Sequence, residues 1–406
     1  MGTQLDPSLS VGERIQVLRE RSGKSRAVLA GLVGRSEGWL KAVEKGRLLP
    51  PRLPMLVKLA EHLGVRDLSD LLGGVSLPTS LFCGSEHPAL PVVRRAVDTA
   101  PLGPSVGSAP DVEHVAAALA AAWRSRITRG DHRTALGEAL PGLVACASVA
   151  ASHPECSDRR RAQVMYASTL NLVQMFAAYQ GDGNLVWRVA ERSLATARAS
   201  GDPVAIGQAA WFLVEAFRAA GQWESAQTMT EEALRLLDPL RRRSPELASA
   251  WVDMAFHAAI THARAGEQGD AWHWFDRAAA IARTLPSTWW SAPTSTSPKV
   301  VPIHGVTVAV ELRQVGTALG WADKIAPESI PARPRRARHL VEVARAHALK
   351  GRVSEVASLL TTAIEAAPET PRWNQETHHM VRGLLDGPPS VQSVARDLAT
   401  ATGLVA

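Results

Sequence analysis

The sequence predicts an all-α protein: a small N-terminal helical domain followed by a long superhelix of helical hairpins. Three observations carry this. Residues 24–46, KSRAVLAGLVGRSEGWLKAVEKG, read as two short helices joined by a tight turn. From Asp111 onward apolar residues recur at helical spacing between short breaks, and no stretch alternates as a strand does. Several of those breaks carry a glycine followed by small or apolar residues at fixed offsets.

In chain order, residues 1–10 form a loose arm. A first helix runs near Val11 to Arg21, with Ile15 and Leu18 inward. Val28, Leu29 and Leu32 give the next helix one apolar face. Gly34 falls where the chain turns sharply, which a residue without Cβ does at least cost. Ser36 can cap the following helix through its hydroxyl. There Trp39, Leu40 and Val43 face inward, and Gly46 closes the helix. Leu49-Pro50-Pro51 ends this region and Pro54 opens another helix.

On these residues the stretch 11–72 resembles the lambda-repressor-like (Xre/Cro-type) DNA-binding domain. The likeness runs through VGERIQVLRERSG, the two-helix core and LPMLVKLAEHLGVRDLSDLL, five helical segments in the family's order. One position departs: Arg35 stands where relatives usually have an apolar residue after the turn glycine. The resemblance implies that the second helix of the core enters a major groove of double-stranded DNA. Ser36 caps it, and Glu37, Gly38, Lys41 and Ala42 are expected to meet base edges. Lys24, Ser25, Arg26, Arg35, Lys45 and Arg47 are expected to hold phosphates and set register. Charge points the same way. Residues 11–70 hold twelve Lys/Arg against seven Asp/Glu, a net +5 of the chain's +6. Neutralised phosphates supply much of the affinity of such readers.

The whole chain sets bounds. Its 406 residues predict two or three domains, and 46% hydrophobic content is ample for a large core. No apolar run reaches eighteen residues, and MGTQLDPSLS reads as no secretory signal. The three cysteines, Cys83, Cys146 and Cys156, are odd in number and lie in no metal spacing. A reduced, cytoplasmic protein without a membrane segment is expected. The predicted domains are 1–72, a Gly/Pro/Ser-rich linker over 73–110 in which Pro91 to Thr99 could form a short helix, and 111–406.

In the third region Asp111 can cap a helix over DVEHVAAALAAAWRSRI. Further helices are expected near 131–151, 158–180, 185–200, 203–220, 223–237, 245–265, 268–284, 303–313, 316–326, 334–350, 353–367, 373–385 and 390–402. Internal repeats are present but degenerate. Gly221 is followed by Ala226, Thr230 and Ala233; Gly266 by Ala271, Phe275 and Ala278; Gly351 by Val356, Leu360 and Ala363. Gly181 with Val186, Ala190 and Ser193 is a weaker copy, and Arg313 with Ala318 and Ala322 weaker still. These offsets resemble those of the tetratricopeptide repeat, although the anchors here lie further apart than its ~34 residues. An Xre-type reader followed by such an array resembles a large group of actinobacterial transcription regulators. Segments such as WLKAVEKGR, WWSAPTS and RRARHLVEVARAHALKGR carry that likeness.

The resemblance to tetratricopeptide arrays implies a ligand or partner groove along the first helix of each hairpin. Carried onto this chain, it names Asn171, Gln208, Trp211, Glu215, Arg218, Asp253, Arg264, Arg338 and Arg345. Trp289 and Trp290 open STWWSAPTSTSPKVVP, a long irregular segment of the kind that is often functional. They either close over a ligand or plug a junction between hairpins. The mixture suits a peptide or polar small molecule.

Catalytic signals are absent: the sequence has no glycine-rich phosphate loop, no GxSxG elbow and no Cys/His pair at catalytic spacing. Neither enzyme activity, cofactor nor metal is expected. Adjacent His378 and His379 project about 100° apart on a helix and chelate one metal poorly; a solvated face is the expected reading. Arg159–Arg161 and Arg241–Arg243 read as exposed helix ends. The expected function is sequence-specific transcription regulation by a homodimer whose array senses an effector. The alternative is an interaction scaffold that uses the helix-turn-helix for assembly.

Overall fold

Short polar side chains set where the N-terminal helices begin. In the computed structural model, residues 9–48, 51, 53–65, 68–73, 86–99, 111–153, 156, 158–180, 182–220 and 222–404 are described. Helix α1, Val11–Arg21, starts with a reciprocal cap: Ser10 Oγ accepts from the Glu13 amide, and the Glu13 carboxylate accepts from the Ser10 amide at 2.9 Å. Ser25 accepts from the Val28 amide to start α2, Arg26–Leu32. Ser36 accepts from the Trp39 amide to start α3, Glu37–Glu44. Helices α4, Leu53–Leu63, and α5, Ser69–Leu72, complete the set. Ile15, Leu29, Leu40, Leu59, Leu68 and Leu71 are fully buried and form its core.

Gly12 lets α1 cross α3 closely: a Cβ there would lie 2.3 Å from the Val43 carbonyl oxygen. Beneath the crossing, the Glu44 carboxylate has no exposed surface. It accepts from Arg19 Nε and from Arg26 Nε, each at 2.5 Å. A buried carboxylate held by two guanidiniums fixes the end of α3 to α1 and α2.

The chain divides into two compact units, one of residues 1–86 with 217–222, the other holding nearly all the rest. The second unit has helices and no strands among its described residues. It begins with α6, Leu90–Asp98, whose Leu90, Val93 and Val97 are fully buried in its core. Residues 87–99, expected within a linker, therefore belong to this unit; 74–85 and 100–110 lie outside the described residues. Asp111 accepts from the Glu113 amide to start α7, Val112–Thr128. Helix α8, His132–Ser152, is long and apolar enough to cross a membrane by length and composition. It packs against α6 and α7 and buries Leu136, Leu140, Val144 and Ala147, as a core helix does.

Five hairpins follow: α9 Arg159–Ala177 with α10 Gly183–Ser200, α11 Pro203–Ala219 with α12 Trp223–Leu237, α13 Pro245–Ala265 with α14 Gln268–Ala282, α15 Val301–Glu311 with α16 Val315–Ala322, and α17 Arg333–Ala348 with α18 Val353–Ala366. Three of the predicted anchors, Gly266, Arg313 and Gly351, fall in their turns. Gly266 and Gly351 have φ of 83° and 67°, and Arg313 takes the same left-handed conformation at 58°, which is strained for a side chain with a Cβ. Gly181 and Gly221 lie outside the described residues. Ala226, Thr230, Ala233, Ala271, Phe275, Ala278, Val356, Leu360 and Ala363 are all buried, as small and apolar positions between packed helices should be. The helix expected over 373–385 instead follows a separate short helix, α19 Glu369–Arg372, and runs as α20 Gln375–Leu385 before α21 Pro389–Thr402.

The array closes on itself. Glu369 accepts from the amides of Arg133 and Thr134 and from Thr134 Oγ1, 235 residues away in sequence for Thr134. His87 lies 3.9 Å from the same carboxylate. The Trp373 ring packs near His87 and under the Arg133 guanidinium, and α7 packs against α17. These contacts bring the first helices of the second unit against its last hairpin and the short helix after it.

The Gly12 crossing yields a direct test. Gly12→Ala places a methyl against backbone that cannot move aside. It should destabilise the first unit by about 1–3 kcal/mol or more, read as faster amide hydrogen exchange in α1 and α3 with α13 to α18 unchanged. Unaltered exchange in α1 would mean the helices separate without cost.

Candidate nucleic-acid interface and charged interior

On α3 the residues Glu37, Gly38 and Lys41 are exposed and Ala42 is half-buried. Arg35, Lys45 and Arg47 flank them, all exposed. The Arg35 guanidinium lies 5.7 Å from the centre of the Trp39 ring, which holds it along the start of α3. Lys45 Nζ is 3.4 Å from Gln16 Oε1. Ser25 and Ser36 use their hydroxyls as helix caps.

Two of the expected phosphate ligands are otherwise engaged. Lys24 is buried within the first unit, its ammonium donating to the Ala220 carbonyl oxygen at 2.9 Å, and burial pushes its pKa down. It is not offered to a phosphate. Arg26 commits its Nε to Glu44, so its first task is to neutralise a buried acid. Sequence reading missed this because Glu44 looked like any polar helix residue.

Inside the second unit, Trp211, Glu215, Arg264, Arg338 and Arg345 do converge. The Trp211 ring lies 4.3 Å from the His257 ring, and His257 Nε2 is 3.3 Å from Glu215. Arg264 binds Glu311 at 3.2 Å; Arg345 binds the same carboxylate at 3.3 Å, Glu342 at 2.7 Å and Glu376 at 3.4 Å. Arg338 binds Glu342 at 2.6 Å and sits 5.9 Å from the Tyr179 ring. This chain of ion pairs joins α13, α15, α17 and α20. Burial raises the Glu311 pKa, but Arg264 and Arg345 outweigh it and hold the group at about 2. Glu311 and Glu342 were not predicted. The Arg338–Glu342–Arg345 spacing, i to i+4 and i+3, was the available signal.

Of the other expected groove residues, Asn171 and Asp253 bond across a helix pair and to the irregular segment. Asn171 is buried and accepts from Ser193 Oγ at 2.7 Å, tying α9 to α10. Arg218 is buried at the end of α11, and Gln208 is half-buried on the same helix. Asp253 is buried and accepts from Thr294 Oγ1 at 2.9 Å and from Thr296 Oγ1, so it orders the irregular segment before α15. Trp289 and Trp290 are half-buried, and Trp290 packs on Val300, Ile303, Ile325 and Ile330, which favours the plug. His378 is buried, not solvated, with Nε2 2.6 Å from the Arg372 carbonyl oxygen; His379 is exposed. Among the described residues, His262, Glu267 and Asp270 cluster at the α13–α14 turn, where His262 Nδ1 already pairs with Glu267 at 2.5 Å.

Residues 10–72 match a family described as a helix-turn-helix domain. No curated protein matches the chain. Solved structures that resemble it include the crystal structure of BtubC (BKLC) from P. vanneervenii. That protein is 12% identical, the match covers 62% of this chain and 90% of that one, and the TM-score is 0.34.

Asp253 gives this interior a pH dependence. Burial raises its pKa from 3.8 to about 7, against the pull of the two threonine donors. The folded state therefore favours the protonated acid. That stability is complete below pH ~4 and is lost as pH rises to ~7. Between pH 5 and 8 the loss from this one group should be ~3 kcal/mol. Urea unfolding across that range should show Asp253→Asn to be flatter than the parent chain and at least as stable at pH 8. Parallel curves for the two proteins would place the titration elsewhere.

Proposed function

We propose that the chain is a sequence-specific DNA-binding transcription regulator whose helical array senses an effector. The observation that carries this is α3 itself. It is capped by Ser36 and locked from below by Glu44. It presents Glu37, Gly38 and Lys41 outward between the cations Arg35, Lys45 and Arg47. Base edges are read by side chains on a rigid helix, and flanking cations take phosphates on either side. In this reading the hairpins are a degenerate tetratricopeptide-like array of the actinobacterial type. Its closed, charged interior suits a polar small molecule or peptide better than a lipid.

A single short recognition helix contacts limited DNA surface, so two copies of the reader are expected to act together. The second unit would supply the homodimer contact, and an inverted-repeat operator would follow, with half-sites about 34–36 Å apart or a multiple of that. A cytoplasmic location accords with this role.

Fluorescence anisotropy over a salt series separates the roles. Lys41→Ala should cost about 1–3 kcal/mol on the preferred site and relax preference there, whereas Arg47→Ala should weaken all sequences and reduce the salt slope by about 1. Arg26→Ala should lower the stability of the first unit before it alters specificity, because Glu44 loses a partner. Binding that ignores both salt and sequence would favour the assembly scaffold.

A further inference from the structure

The interior of the array is not fully neutralised. Most of its guanidiniums are matched: Arg264 and Arg345 share Glu311, and Arg338 and Arg345 share Glu342. Arg133 donates to the Phe176 carbonyl oxygen and feels Glu369. Arg126 and Arg335 differ. The Nε of each is sealed from solvent without a hydrogen-bond partner, and among the described residues neither forms an ion pair. Both residues are nevertheless only half-buried. Arg126 lies on α7 and Arg335 on α17, and these two helices pack together where the superhelix closes.

The charge environment is one-sided. Burial, then repulsion from Arg133 and Arg335, pushes the Arg126 pKa down to about 9, and no acid opposes that shift. Burial and Arg338 push Arg335 down to about 10. The acids that face Arg335 are Glu342, Glu215 and Asp253, all at longer range. Glu342 is already held by Arg338 and Arg345, Glu215 faces His257, and two threonines occupy Asp253. Two uncompensated guanidiniums are costly, and a planar fork of donors is well shaped to bind a carboxylate or phosphate.

We propose that Arg126 and Arg335 form a binding site for a small oxyanion, the phosphate or carboxylate group of the effector, at the seam where the array closes on itself. This rests on the effector-sensing reading for its purpose but not for its test. An oxyanion between α7 and α17 cancels their mutual repulsion and ties the first helices of the array to the last hairpin. Its differential affinity for the closed arrangement is what would let it act as a signal.

The test uses the full chain in phosphate-free buffer, with inorganic phosphate, succinate and chloride as probes at equal ionic strength. Phosphate or succinate should raise the melting temperature saturably and chloride should not. Response to phosphate alone points to a phosphorylated ligand, and response to succinate alone to a carboxylate. Arg126→Gln and Arg335→Gln should each weaken anion binding at least tenfold by calorimetry. Without anion, each variant should melt higher than the parent, because a like charge is gone. Arg335→Lys keeps the charge without the fork and should bind with intermediate affinity. Variants that respond as the parent does, or a parent that answers equally to chloride, would overturn the site. DNA binding measured alongside keeps the two ideas apart: an anion response with no sequence-specific DNA binding sinks the regulator and leaves the site standing.

Discussion

The second unit depends on one carboxylate. Glu369 takes two amides and a hydroxyl at the start of α8, where unsatisfied N–H groups and the helix dipole favour a negative charge. It does for α8 what a local cap would do, but from the far end of the array. Asp131, the residue in the local cap position, makes no side-chain cap bond; it is paired with Arg129 instead. The first turn of α8 is therefore satisfied only when the array is closed. Trp373, stacked near His87 and under Arg133, turns that contact into a packed joint.

Closure explains the charged interior. Charges along an open concave face would be solvated and their pairs worth little. Enclosed between α13, α15, α17 and α20, the same side chains must be matched, because breaking a buried pair leaves an uncompensated ion. Glu311 accordingly serves Arg264 and Arg345, and Glu342 serves Arg338 and the same Arg345. Each of these acids bridges helices or successive turns, so the network fixes the hairpins against one another as well as balancing charge.

What the sequence reveals and what it hides follow from range. Caps at Ser10, Ser25, Ser36 and Asp111 act within three residues, and the apolar spacing of the hairpins acts within one helix, so both were readable. The repeat anchors were readable because a hairpin turn imposes a backbone conformation on one position, even where Arg313 replaces glycine. The exposed face of α3 follows from the same periodicity. Closure through Glu369 was not readable, because the partners are more than two hundred residues apart and neither carries a local mark. The groove assignments failed at Asn171 and Asp253 for a related reason. Polarity alone does not tell a residue facing a solvated interior from one bonded across a helix pair or to a neighbouring loop.

The two units handle positive charge in opposite ways. In the first, the buried acid Glu44 is neutralised by Arg19 and Arg26, and the remaining cations of α3 and its flanks are placed outside. An extended polyanion is met by such a surface, where each cation works alone and salt screens it. In the second, ion pairs hold the charges shared by α13, α15, α17 and α20, whereas Arg126 and Arg335 keep a buried Nε without a hydrogen-bond partner among the described residues. On the proposed reading the same residue type serves two kinds of anion, and exposure decides which. Outward arginines and lysines favour a long phosphate backbone, and enclosed arginines favour a single compact oxyanion.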